Sequence, residues 1–199
     1  MKTVIFTYKG APPERTQNSL RLKNLLENLD PEIFLGGEDT IENTVEICKL
    51  FEDDLLILED DVKPCEEFKD LVLSVISKYK DSVINFHYNC LPKRDSLLEK
   101  FNDLKLYRQD GSSYIWNQCF YLPSKIRELV IKTEREFRKV YPYYVRTKQQ
   151  DVFIAYSIRD LDFIAVYPSL VEHLDLGSSI RDSKSARTIF PFGMDFRVY

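Results

Sequence analysis

The sequence predicts an α/β domain: a Rossmann-like, mostly parallel central sheet flanked by helices. Strand-like and helix-like segments alternate from Thr3 to Phe86, the order that builds a parallel sheet with helices packed on it. Leu55-Leu56-Ile57-Leu58 is an unbroken apolar run, as expected of a central strand buried on both faces. No repeat, low-complexity tract or linker interrupts the 199 residues, so residues 1–199 read as one domain, large enough to bury about 70% of its unfolded surface.

Thr3 to Thr7 forms the first predicted strand, and Gly10, Pro12 and Pro13 mark a loop after it. Leu22, Leu25, Leu26 and Leu29 recur at helical spacing until Pro31 stops the helix. Ile33 to Leu35 is a short strand before Gly36-Gly37, and Ile41, Val45 and Cys48 mark a second helical face. After the apolar run and Pro64, Phe68, Leu71, Val72, Val75, Ile76 and Tyr79 give the clearest helix; Val83 to Phe86 is the next strand. Leu91 to Gly111 is polar and weakly patterned and reads as a variable insert. Tyr114 to Leu122 is rich in β-forming residues, and Pro123 opens a helix to about Val140. A helix over Gln149 to Arg159, a strand over Phe163 to Val166 and a loop-like tail over about 175–199 complete the chain.

Composition bounds the function. With 44% hydrophobic and 30% charged residues the chain is ordinary for a globular protein, and its net charge of −4 makes it no general polyanion binder. Charge is uneven, however: Lys125 to Lys148 carries eight cations against three acids, and Arg181, Lys184 and Arg187 follow near the end. Such a stretch solvates a helix or tracks a phosphate backbone. Cys48, Cys65, Cys90 and Cys119 show neither CxxC nor metal-ligand spacing, and Cys48 and Cys119 sit among apolar neighbours as core residues do. With no signal peptide and no bilayer-length apolar run, the expectation is a soluble, cytoplasmic protein without integral membrane association.

The chemistry concentrates where the apolar run ends in Glu59-Asp60-Asp61. Ligands of open α/β sheets bind beyond the carboxyl ends of the strands. Three acids there repel one another unless a positive group joins them, and a hard divalent cation, Mg²⁺ or Mn²⁺, would do so while completing its shell with substrate phosphates. A solvated acidic turn is the plainer alternative. His173, past the last predicted strand, is a candidate ligand, whereas His87 reads as structural. Asp151 opens a helix; the dipole there favours its charged form, so a role as base requires partial burial or a nearby carboxylate. Lys9 and Arg15, placed in the loop after the first strand, are candidates for holding a diphosphate or an acceptor. Trp116, Asn117 and Gln118 combine a flat aromatic surface with amides, as sugar pockets do, although a lone tryptophan packs in cores as readily.

Taken in order, the first strand and loop, Leu58-Glu59-Asp60-Asp61-Val62, the polar aromatic strand, the helix-opening acid, and Tyr167-Pro168-Ser169-Leu170-Val171-Glu172-His173 with Gly177-Ser178-Ser179 resemble small GT-A fold glycosyltransferases. The likeness is to those related to lipopolysaccharide-type enzymes with a Glu-Asp-Asp motif, and it runs from Thr3 to about Ile180. It implies a metal-dependent glycosyltransferase moving a sugar from a nucleotide-diphosphate sugar, a UDP-sugar foremost, to an acceptor hydroxyl with inversion. It implies Glu59, Asp61 and His173 as metal ligands, with Mn²⁺ or Mg²⁺ as cofactor, and Asp151 as catalytic base. Thr7, Tyr8, Arg15, Glu59, Asp60, Asp61, Trp116, Asn117, Gln118, Ser178 and Ser179 would line the nucleotide-sugar site. Glu172 departs from the glutamine many relatives carry, adding charge beside the proposed metal, and the short chain leaves little room for an acceptor domain. The acceptor would be a surface glycan or, by analogy with bacteriophage enzymes that modify DNA in the host cytoplasm, a hydroxymethylated base. A nucleotidyltransferase, a non-catalytic nucleotide-sugar-binding module and, less well, a metal-dependent nuclease are the competing classes.

Overall fold

The computed structural model describes residues 1–88, 96–101, 103–114, 118–147, 149–174 and 176. In chain order the elements are β1 (Lys2–Tyr8), α1 (Pro13–Leu25), a 3-10 turn (Glu27–Leu29), β2 (Pro31–Gly36), α2 (Thr40–Leu50), β3 (Leu55–Glu59), β4 (Val62–Pro64), α3 (Phe68–Tyr79), β5 (Val83–Asn85), β6 (Leu97–Phe101) and β7 (Leu104–Asp110). A 3-10 turn (Gly111–Ser113) leads to β8 (Cys119–Leu122), α4 (Ser124–Val140), α5 (Pro142–Arg146), α6 (Gln150–Ser157), β9 (Asp162–Tyr167) and β10 (Val171–His173).

Eight strands form one sheet in the order β2-β1-β3-β8-β5-β9-β7-β6. The pairings β1–β2, β1–β3 and β5–β9 are parallel; β8 runs antiparallel between β3 and β5, and β7 antiparallel to both β9 and β6. The expected α/β class, a central sheet between helices, is what the chain adopts. Six strands share one direction, but the reversed β8 makes the centre mixed.

Alternation along the strands explains the layers. Leu55 and Ile57 of β3 pack with Val4, Phe6, Phe120 and Leu122 against α2, α4 and α6, through Ile41, Val45, Val130, Phe137 and Phe153. Leu56 and Leu58 face the other way, with Ile5, Tyr121 and Ile164, against Leu22 of α1, Leu26 just past it, and Phe68, Val72 and Val75 of α3. The apolar run thus reads continuously because each face has its own helical cover.

Several segments differ from expectation. Pro13 opens α1 instead of lying in the loop, since a missing N–H costs nothing in the first turn. Pro31 starts β2, paired with Thr3. The expected insert contains the β6–β7 hairpin, whose second strand buries Leu104 and Leu106 on alternate positions, the period-two signal of a half-buried strand. The 175–199 tail lies outside the described residues apart from residue 176. Among the described residues, no helix is long and apolar enough to cross a membrane.

Candidate active site at the carboxyl ends of the central strands

β1, β2 and β3 end side by side, with Tyr8 opposite Gly36 and Phe6 opposite Glu59. Strand β3 delivers Glu59, and Asp60 and Asp61 form the turn into β4. Two of the three acids, Asp60 and Asp61, meet a cation from their own chain: Arg15, on the first turns of α1 and only 7% exposed. Its Nε donates to Asp60 Oδ1 at 2.6 Å, and its Nη2 pairs with that same oxygen and, at 2.8 Å, with Asp61 Oδ2. Thr7 Oγ1 donates to Asp60 Oδ2 at 2.5 Å, so both oxygens of Asp60 are engaged. One turn further along α1, Asn18 Nδ2 donates to the carbonyls of Asp60 (2.8 Å) and Val62 (2.9 Å), tying the acidic turn to the helix. Arg15 also lies over the Tyr8 ring, 5.4 Å from its centroid. Arg15 is therefore turned inward onto the acids rather than standing on an exposed loop.

His173 reaches the same turn from the far end of the chain. Strand β10 pairs antiparallel with β4, setting His173 opposite Val62, and Leu174 N donates to Asp61 O at 2.7 Å. His173 Nε2 lies 3.3 Å from Asp61 Oδ2. That contact raises the imidazole above its ordinary value, against the opposing effect of burial. The structure also brings in His87, read as structural from the sequence. It is buried just beyond β5, its ring centroid 6.5 Å from that of His173, and its Nδ1 meets Gln118 Oε1. Burial lowers the His87 imidazole, partly offset by Gln118. Its place after a strand that parallels β9 was the available signal: carboxyl ends of parallel strands gather at one edge.

Charge is not fully compensated. Burial, then repulsion from Asp61, pushes Glu59 well above the ordinary carboxylate range despite Arg15. Asp61 Oδ1 is buried and has no hydrogen-bond partner. Among the described residues no group of three or more histidine, cysteine, aspartate or glutamate side chains is arranged to hold a metal ion, so Glu59, Asp61 and His173 are not assembled as a three-ligand set. What remains is the free Asp61 Oδ1 with Glu59. Two hard carboxylates fit Mg²⁺ or Mn²⁺, which take water and phosphate oxygens for the rest of the shell.

Asp151 sits in the first turn of α6, half-buried, its Oδ1 accepting from Val152 N at 2.9 Å. Burial raises its carboxyl above the ordinary value, and the backbone amides only partly offset this. The compensation a base at a helix start requires is present. Tyr114 is buried with an unpartnered hydroxyl, and burial pushes its phenol up. Trp116, Asn117, Ser178 and Ser179 lie outside the described residues. The basic helix α4 spends much of its charge internally: Lys125 pairs with Asp81, Lys132 with Glu128, Arg138 with Asp39 and Glu134, and Arg127 donates to the carbonyls of Cys48 and Phe51.

No protein-family model and no curated protein matches the chain. Among solved structures it is similar to A197 from STIV, with a TM-score of 0.50 and 14% identity over 87% of this chain and 86% of that one. That likeness is one of fold. Weaker similarities are to a glycosyltransferase involved in glycosylation of the major capsid of PBCV-1 (TM-score 0.43, 9% identity, 71% of this chain and 76% of that one) and to S. aureus TarS (TM-score 0.48, 9% identity, 87% of this chain). The chain spans 36% of the TarS chain.

Proposed function

We propose that the protein is a nucleotide-sugar-dependent glycosyltransferase, with Glu59 and Asp61 at the donor diphosphate and Asp151 as the base. The observation that carries this reading is the unpartnered, buried Oδ1 of Asp61 beside Glu59 at the carboxyl end of β3. Together with the Glu-Asp-Asp and Tyr-Pro-Ser-Leu-Val-Glu-His motifs, it favours a cation-bridged diphosphate over a buried turn neutralised by Arg15 alone; the solvated turn is removed by the burial of Asp60 and Asp61.

Glu59 and Asp61 would hold the divalent cation, which neutralises charge on the departing diphosphate. Thr7 and Tyr8, at the end of β1, would line the nucleotide side of the pocket. Asp151, its carboxyl raised by burial, takes the proton from the acceptor hydroxyl as that oxygen attacks the anomeric carbon. Attack from the face opposite the diphosphate inverts the anomeric centre. The acceptor is a surface glycan hydroxyl or a hydroxymethylated DNA base; of the α4 cations only Arg127 and Arg138 are committed to half-buried partners, while Lys125 and Lys132 stand exposed in weak surface pairs.

Calorimetric titration with UDP-sugars and other sugar nucleotides, with and without Mn²⁺, tests the donor site on wild type and Asp61→Ala. Cation-dependent binding of one nucleotide, abolished by the substitution, is expected. Absence of binding to all of them leaves the acids as a buried structural turn held by Arg15. Pyrophosphate release from a nucleoside triphosphate would instead establish a nucleotidyltransferase, and a product with retained configuration would remove Asp151 as base.

A further inference from the structure

Asp60 and Asp61 are adjacent, yet their surroundings give them different work. Both oxygens of Asp60 are engaged, by Arg15 and by Thr7, and the residue is 1% exposed. Asp61 is held by Arg15 Nη2 and His173 Nε2, at 2.8 and 3.3 Å, and both contacts fall on Oδ2. Its backbone is held independently, by Leu174 N on its carbonyl and by Asn18 on the carbonyls at either side. Oδ1 is the oxygen left over.

We propose that Arg15 is a positioning residue that divides the acid pair, withdrawing Asp60 from ligation and fixing Asp61 through Oδ2 so that Oδ1 alone is presented to the cation. The proposal rests on the reading of Glu59 and Asp61 as the cation site. A purely stabilising role explains the arrangement less well. Buried ion pairs contribute little net stability against apolar residues of similar volume, because desolvation offsets the Coulomb gain. Fixing a ligand's orientation is what a rigid guanidinium fork does well: it reaches two carboxylates at set angles, which a lysine ammonium does not. Partners of this kind behind a ligating carboxylate typically govern about 10–100-fold of metal affinity. The placement of Arg15 over Tyr8 joins the same side chain to the loop on the nucleotide side.

The test is Mn²⁺ titrated into the full chain, with the free ion read by electron paramagnetic resonance, in the presence and absence of UDP. Arg15→Lys keeps the charge and loses the fork; it is expected to bind Mn²⁺ roughly tenfold or more weakly than wild type, at an unchanged circular dichroism spectrum. Asp60→Asn leaves Arg15 on Asp61 and is expected to stay closer to wild type than Arg15→Lys, whereas Asp61→Asn abolishes binding. Equal affinity of wild type and Arg15→Lys overturns the proposal while leaving the cation site intact. Asp60→Asn as damaging as Asp61→Asn also overturns it, by making Asp60 a ligand; this comparison decides the matter if Arg15→Lys does not fold. A wild type that binds no Mn²⁺ in either condition overturns the cation reading, and this assignment with it.

Discussion

His173 Nε2 lies 3.3 Å from Asp61 Oδ2, and this contact joins the two ends of the candidate site. It exists because β10 pairs with β4, the short strand that follows the acids, and sets His173 against Val62. Two three-residue strands therefore bring a histidine from near the end of the described chain to the acidic turn after β3.

His173→Ala removes one of the two groups that orient the Asp61 carboxylate. Affinity for a nucleoside diphosphate with Mn²⁺ is expected to fall about 10–100-fold by calorimetry. The His173 side chain is 45% exposed, so the melting temperature should hardly move. Unchanged nucleotide affinity would show that Arg15 alone holds Asp61.

Asp151→Asn keeps the shape of the side chain and cannot accept a proton. Turnover at saturating donor is expected to drop roughly 10²–10⁴-fold, with donor affinity preserved. A parallel loss of donor affinity would place Asp151 in the donor site instead.

Asp39 caps α2, accepting from the amides of Ile41 and Glu42 at 3.0 Å each, while Arg138 Nη1 from α4 reaches its other oxygen at 2.9 Å. Loss of the cap in Asp39→Ala is expected to cost about 0.5–2 kcal/mol in urea unfolding at neutral pH. Burial alone would raise the Asp39 carboxyl, but Arg138 and the amides outweigh it and hold it below the ordinary range. The contribution is therefore complete above the ordinary carboxylate pKa and is lost as pH falls through the lowered folded value. The gap between wild type and variant should accordingly close in strong acid; a gap independent of pH would remove the charge from the explanation.

At Gly36, a Cβ would stand 2.4 Å from Asn43 Oδ1, and Asn43 is itself committed to Gly37, accepting from its N–H at 2.8 Å and donating to its carbonyl at 2.9 Å. Gly36→Ala must displace that amide, and a destabilisation of about 1–3 kcal/mol in urea is expected. A neutral substitution would mean that Asn43 can turn away without cost.

Much of the fold was legible because periodicity reports burial directly. The α3 stripe from Phe68 to Tyr79 and the apolar run of β3 need no partner to be recognised. Short or edge elements escaped for the opposite reason. Three residues, as in β4 and β10, carry no period, and the β6–β7 hairpin was hidden by the charge on its exposed positions. The reversed direction of β8 had no local signature, because antiparallel and parallel neighbours bury the same apolar residues.

The sequence by itself determined the layered α/β class, the strand that runs into Glu59-Asp60-Asp61 and the helix whose first turn carries Asp151, since each is written in contiguous residues. Only the tertiary structure decided what those acids touch. The cation expected from the charge of three adjacent carboxylates is supplied in part by Arg15 of α1, and His87 joins His173 at the same edge. Spacing along the chain carries no information on which groups converge when strands distant in sequence end side by side. The division of Asp60 from Asp61, one saturated and one with an oxygen free, follows from that convergence.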